Sequence, residues 1–254
     1  MVDFTIEKRD KGYLLFTIER NEKRNAINYE VMQGLDEAIH IANDSDVKAL
    51  VITGSGDRAF CSGGDLTVFH SLSTSEEAYT MLSTMSKILY SLLTLSKPTL
   101  ALLNGIAIGG GCEIASACDF RIAQNGIRAG FVQGKQAITT GWGGGTILAE
   151  KLAASNAMKL LMEAELQPVE KLLQYGFIDE IFHDTPIEAC EHFLEHMLAA
   201  ELSVLQSYKN IWIRKWLKNN LKERMAEEVH TCAELWQGEA HHSYVKKFMS
   251  KKTE

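Results

Sequence analysis

The sequence predicts an α/β protein whose second half is mostly helical, and three observations carry that expectation. Two short apolar runs, "KALVITG" (48–54) and "TLALLNG" (99–105), have the length and the glycine stop of strands buried on both faces. Segments with helical spacing of apolar residues alternate with them, which is the α/β pattern. From residue 146 onward the chain reads as helix, with a single strand-like insert, "FIDEIF" (177–182).

The elements follow in order. Residues 2–8 and 13–19 read as two strands joined by a turn at "RDKG". Val31, Leu35, Ile39 and Ala42 recur at helical spacing over 29–42. After the strand 48–54, "STSEEAYTMLSTMSKILYSLLTLSKP" opens on a capping-box pattern and stops before Pro98, giving a helix over 76–95. The strand 99–105 leads into a helix at 110–118. "FRIAQ" and "RAGFVQ" are short strands. The last 60 residues read as helices that pack on something, because they do not easily form a core of their own.

Composition narrows the class. The chain has 254 residues, 46% apolar and 23% charged, enough for one large domain or two modest ones. A net charge of −7 argues against general nucleic-acid binding. Five cysteines, an odd number without CxxC spacing, suggest reduced buried thiols and a cytoplasmic location. The N-terminus has no apolar stretch of the signal-peptide kind. The most apolar run, 99–118, is broken by Asn104, glycines and Glu113, so no membrane span is expected.

Two glycine turns concentrate the chemistry. They are "DRAFCSGGDL" (57–66), after the strand ending at Gly54, and "GIAIGGGCEI" (105–114), after the strand 99–104. Ligands of α/β folds sit beyond the carboxyl ends of strands, where free N–H groups point outward. Glycine lets the backbone approach a ligand, and two such turns side by side can aim two N–H groups at one oxygen. Either turn alone is equally a tight bend. Glu113 stands one step beyond the glycine triplet, in apolar surroundings that raise a carboxylate's pKa toward the range of a general acid or base. The alternative role is complementing the helix dipole in the first turn.

Two other stretches offer rival chemistry. "HFLEH" (192–196) spells a zinc-protease pattern, but its histidines fall among glutamates on the polar side of an amphipathic helix, so a solvated face is expected and no metal. "YKNIWIRKWLKNNLKERM" (208–225) is basic and aromatic, as membrane-surface helices are, although Trp212 and Trp216 equally suit an interface or a core.

Taken together, "AFCSGGDL" followed some 45 residues later by "NGIAIGGGCEIASACDFRIA" resembles the crotonase superfamily, the enoyl-CoA hydratase and isomerase relatives. The resemblance also covers "ERNEKRNAIN", "GFIDEIF" and the terminal "YVKKFMSKK". It implies a crotonase-type spiral of repeated ββα units, with an acyl-CoA-binding core at 1–195 and a helical trimerisation region at 196–254. It implies a homotrimer or dimer of trimers, with coenzyme A as part of the substrate and no separate cofactor. Gly64 and Gly110 would hold the thioester oxygen, and Glu113 matches the first of two hydratase glutamates. Lys23, Arg24, Arg58, Ser62 and Asp65 match positions along coenzyme A, and Phe248 and Lys251 match positions that reach its adenine and 3′-phosphate. Lys135 falls where the second glutamate is expected, within "GFVQGKQAITTGWGGG". That departure weakens two-carboxylate hydration and ordinary isomerisation, and brings in two alternatives. One is a decarboxylase of methylmalonyl- or ethylmalonyl-CoA type, which the "FV…GWGGG" pattern resembles. The other is an acyl-CoA-binding protein without turnover.

Overall fold

The computed structural model describes residues 2–250, the side chain of Met249 excepted. Strands β1 (Phe4–Arg9) and β2 (Tyr13–Ile18) form an antiparallel pair, turning through Gly12 at φ +92°. Helix α1 (Tyr29–Ile41) starts at Asn28, whose side chain accepts the Val31 N–H. Strand β3 (Ala49–Gly54) then runs parallel to β2, with Ala49 opposite Tyr13.

From here the chain repeats one move. It gives a strand to a first sheet, gives a short strand to a second sheet, and then forms a helix. Strand β4 (Ala59–Cys61) is followed by α2 (Leu66–Phe69) and α3 (Ser75–Leu93). The capping box of α3 is present, Thr74 and Glu77 each satisfying the other's backbone. Strands β5 (Thr99–Leu103) and β6 (Ile106–Ile108) precede α4 (Gly110–Ala117). Strands β7 (Phe120–Gln124) and β8 (Arg128–Gly130) precede a 3₁₀ turn at Gln133–Gln136, α5 (Gly144–Lys151) and α6 (Ala154–Glu163). Strand β9 (Gln167–Pro168), α7 (Val169–Gln174) and β10 (Glu180–Phe182) complete the sheets. The first has the order β1-β2-β3-β5-β7-β10, the second β4-β6-β8-β9. This is the spiral of ββα units that the resemblance implied.

Two expectations need correction. The glycine turns do not leave the long strands directly, because β4 and β6 come between. Strands of three residues are too short to show a periodicity. The strand expected over "RAGFVQ" stops at Gly130, and Gln133 belongs to the 3₁₀ turn.

The C-terminal chain folds as α8 (Pro186–Ala199), α9 (Leu202–Lys218), α10 (Leu221–Trp236) and α11 (Glu239–Ser250). One face of the first sheet packs Phe16, Ile52 and Leu103 into a cluster with Leu82, Met85 and Leu89 of α3 and Met225, Val229, Cys232 and Trp236 of α10. The opposite face packs Leu15, Val51 and Leu102 against Cys190 and Leu194 of α8. A sheet covered on both faces accounts for the uninterrupted apolar runs of β3 and β5. The division expected at 195/196 falls inside α8, and α10 shares the main core. His192 and Glu195 point outward on α8, and among the described residues no cluster is arranged to hold a metal ion. Trp216 is buried while Trp212 and Tyr208 are exposed. No helix among the described residues is long and apolar enough to cross a membrane, and all five cysteines are buried and unpaired.

Candidate active site

Strands β4 and β6 are parallel neighbours, Ala59 opposite Ile106, so the two glycine turns leave the sheet side by side. A Cβ on Gly63 would sit 3.2 Å from the Gly110 nitrogen. In the first turn the Ile27 N–H donates to the Gly63 carbonyl and the Asp65 N–H to the Ile27 carbonyl, each at 2.8 Å. Strand-like alternation then turns the Gly64 N–H to the other side. Gly110 is the first residue of α4, so its N–H has no acceptor inside the helix. Both glycines line one cavity of about 90 Å³.

The triplet Gly109–Gly111 has a separate reason at each position. Gly109 sits at φ +55°, where a side chain is strained. A Cβ on Gly110 would collide with the Trp142 indole, and one on Gly111 with the Cys61 carbonyl. The Trp142 ring therefore lies across the face of the glycine pair, 3.7 Å from a notional Gly64 Cβ as well. Leu82 of α3, Ile138, and Cys232 and Trp236 of α10 finish the apolar wall.

Glu113 lies on the first turn of α4, only 2% exposed, and borders this cavity. Its carboxylate accepts the N–H groups of Trp142 and Gly144, both at 2.9 Å, and of Gly141 at 3.3 Å. The Gln133 side chain donates a fourth hydrogen bond at 2.9 Å. A Cβ on Gly144 would collide with the Glu113 side chain, so "GWGGG" is shaped to receive a carboxylate. Burial pushes the Glu113 pKa up to about 7, the charge of Glu228 pushes the same way, and the backbone N–H groups pull back without reversing it.

Gln133 has a second property. Its Oε1 is buried and has no hydrogen-bond partner, while its Nε2 is committed to Glu113. An orphaned buried acceptor costs about 1–3 kcal/mol, so a donor from a bound molecule is the natural completion. Lys135, two residues on, is exposed, pairs with Glu165 at 2.6 Å and does not line the cavity. The position expected to carry the second glutamate thus faces outward.

The expected coenzyme A residues divide. Ser62 lines the cavity mouth and is tied to 23–24 by its N–H donating to the Arg24 carbonyl at 3.1 Å. Lys23, Arg24 and Arg58 are exposed beside the first turn. Asp65 is different. It is 4% exposed, pairs with Arg20 at 2.9 Å and accepts the Thr67 N–H as the N-cap of α2. Burial opposes its charge, but Thr67 and Arg20 outweigh that and hold its pKa low. Its carboxylate is committed to Arg20 and Thr67. Phe248 is half-buried on α11, and Lys251 lies outside the described residues. Sequence reasoning missed Trp142, Gln133, Glu228, Cys232 and Trp236. Only the glycines around Trp142 signalled any of them.

Several known proteins resemble this chain in sequence and fold. The chain is 27% identical to a short-chain-enoyl-CoA hydratase of Clostridium acetobutylicum, over 97% of this chain and 94% of that protein. It is 28% identical to an ethylmalonyl-CoA decarboxylase of Rattus norvegicus, over 92% of this chain and 80% of that protein. The crystal structure of carnitinyl-CoA hydratase from Mycobacterium avium superposes with a TM-score of 0.83 at 28% identity, covering 99% of this chain and 97% of that one. The family model described as enoyl-CoA hydratase/isomerase matches residues 8–253, and the chain belongs to that family of enzymes.

Proposed function

We propose that this chain binds a short acyl-CoA thioester with its carbonyl oxygen between the Gly64 and Gly110 N–H groups, and that Glu113 moves the proton at the adjacent carbons in hydration or double-bond isomerisation. The observation that carries this reading is one cavity bordered by two outward-facing backbone N–H groups and a carboxylate whose pKa is about 7. Donors aimed at the thioester oxygen stabilise the enolate that forms when charge moves onto it. A carboxyl group near neutrality both accepts and returns a proton with little driving-force loss. Gln133 Oε1 then receives the O–H of the attacking water that a second glutamate would otherwise hold. Gln133→Ala should lower kcat about 10-fold with KM little changed, as expected for losing a hydrogen bond to a charged group. Steady-state kinetics on crotonyl-CoA checks it, and an unchanged kcat removes Gln133 from the reaction.

One observation favours a second reading. Among the described residues the cavity is lined by a single carboxylate and by no Lys, Arg or His. A malonyl-type substrate would place its carboxylate there without a counter-ion. Its departure as CO₂ leaves the same enolate, which neutral Glu113 protonates at carbon. A panel of crotonyl-, longer enoyl-, methylmalonyl- and ethylmalonyl-CoA, with product analysis, separates the two. Hydrated or shifted enoyl products support the first reading, and CO₂ release with no action on enoyl-CoA supports the second. Binding without any product supports the non-catalytic alternative.

The partner proposal is a homotrimer or dimer of trimers, supported by the exposed Val204, Tyr208, Ile211 and Trp212 on α9. Lys23, Arg24 and Arg58 are the proposed contacts of the coenzyme A phosphates. A cytoplasmic location is proposed from the acidic composition and the buried, unpaired thiols.

A further inference from the structure

The N-terminus of α5 is shared by two carboxylates 115 residues apart in sequence, Glu113 on α4 and Glu228 on α10. Glu113 takes the N–H groups of Trp142 and Gly144. Glu228, on α10, takes those of Gly145 at 3.0 Å and Thr146 at 2.6 Å. A helix N-terminus offers roughly half a positive charge, which complements one carboxylate better than two. The remaining groups that face Glu113 bring no charge of their own at neutral pH. Among the described residues they are the Gln133 amide from the 3₁₀ turn, the backbone N–H groups of Gly141, Trp142 and Gly144, and two thiols that burial keeps protonated, Cys112 on α4 and Cys232 on α10. Among the described residues, the charge that acts most strongly on Glu113 is that of Glu228. It sits one turn from Cys232 and two turns from Trp236, and those two residues wall the cavity.

We propose that Glu228 is a positioning residue for the reaction: by taking the Gly145 and Thr146 N–H groups it shares the α5 N-terminus with Glu113, and it stands on the helix whose Cys232 and Trp236 wall the acyl cavity. This rests on the reading of Glu113 as the proton carrier. Glu228 itself does not line the cavity. Its influence is electrostatic and geometric, acting through five N–H groups divided between two anions.

The test is the pH profile of kcat/KM for Glu228→Gln, together with a ¹³C NMR titration of the Glu113 carboxyl carbon in both proteins. Glu228→Gln keeps one acceptor oxygen and removes the charge. The Glu113 titration should move to lower pH by at least about half a unit, the direction expected when a like charge is removed, and the matching limb of the profile should move with it. Glu228→Asp draws the charge back by one methylene and should shift both less, in the same direction. A merely structural cap would change melting temperature without this ordering. An unmoved Glu113 titration in a folded variant overturns the inference. A shifted titration beside an unmoved limb upholds the coupling and instead removes Glu113 as proton carrier, so the two failures are distinguishable.

Discussion

Glu113→Gln should lower kcat at least about 100-fold, the scale of a lost general acid or base. Measurement with the best substrate of the thioester panel checks it. The variant needs a stability control, because the substitution is not silent. Oε1 accepts the Gly141 N–H and Oε2 accepts those of Trp142 and Gly144. Whichever way the amide turns, its NH₂ group meets a backbone donor, and that mismatch costs about 1–3 kcal/mol. The pH dependence separates this cost from catalysis. The folded-state pKa of Glu113 is raised from 4.5 to about 7. A raised carboxylate pKa contributes stability that is fully present below about 4.5 and lost as the pH climbs through about 7. The wild type should therefore lose up to about 3 kcal/mol at this site over that range, which glutamine cannot lose. The melting-temperature gap between wild type and variant should narrow from pH 5 to pH 8. Near-normal turnover with the same narrowing gap would leave Glu113 as a cap for α5 and nothing more.

Gly110→Ala should reduce kcat/KM by about 10²–10³, the effect of losing one oxyanion donor. Its methyl group would be driven into the Trp142 ring, so either the ring or the first turn of α4 must move, and both border the cavity. Gly64→Ala should be milder. Its methyl would meet Phe69 at 3.3 Å and Trp142 at 3.7 Å, close enough to crowd but not to collide. The double variant Gly110→Ala/Trp142→Ala removes the collision but leaves a cavity where the buried indole stood, so its melting temperature should stay below that of the wild type. It should not regain activity on short thioesters, because the wall that confines the acyl chain is gone too. A Gly110→Ala enzyme with full activity on the panel would remove that N–H from the thioester site.

The parts of the fold that were legible are those whose own residues declare them. The box at Thr74 and Glu77 started α3 within one residue, and the apolar runs of β3 and β5 announced strands covered on both sides. What stayed hidden was set by tertiary partners. Strands β4, β6, β8 and β9 have two or three residues each, too few to show alternation, yet β4 and β6 deliver both glycine turns. The two glycine turns and Glu113 stood out as glycine clusters and a carboxylate in an apolar run, while the roles of Gly64, Gly110 and Glu113 came from the family resemblance. Trp142, Gln133 and Glu228 could not be read, since a tryptophan in a glycine loop, a glutamine in a turn and a glutamate on an amphipathic helix are all ordinary until their neighbours are known. Asp65, placed along coenzyme A by the resemblance, has its carboxylate paired with Arg20, which comes 45 residues earlier in the chain, a partner that sequence spacing does not reveal.

The wall supplied by α10 has a consequence for the order in which the enzyme becomes active. The Trp236 indole donates to the Leu72 carbonyl at 2.9 Å, a contact that closes 164 residues of chain. Contacts of that span form late, because the loop entropy must be overcome before they stabilise anything. The glycine pair and Glu113 can therefore be in place on the sheet while the cavity still stands open to water and Glu113 lacks its α10 neighbour. In refolding from denaturant, far-ultraviolet ellipticity should return before turnover does. A polypeptide emerging from the ribosome would lack the Cys232 and Trp236 wall of this cavity until α10 docks.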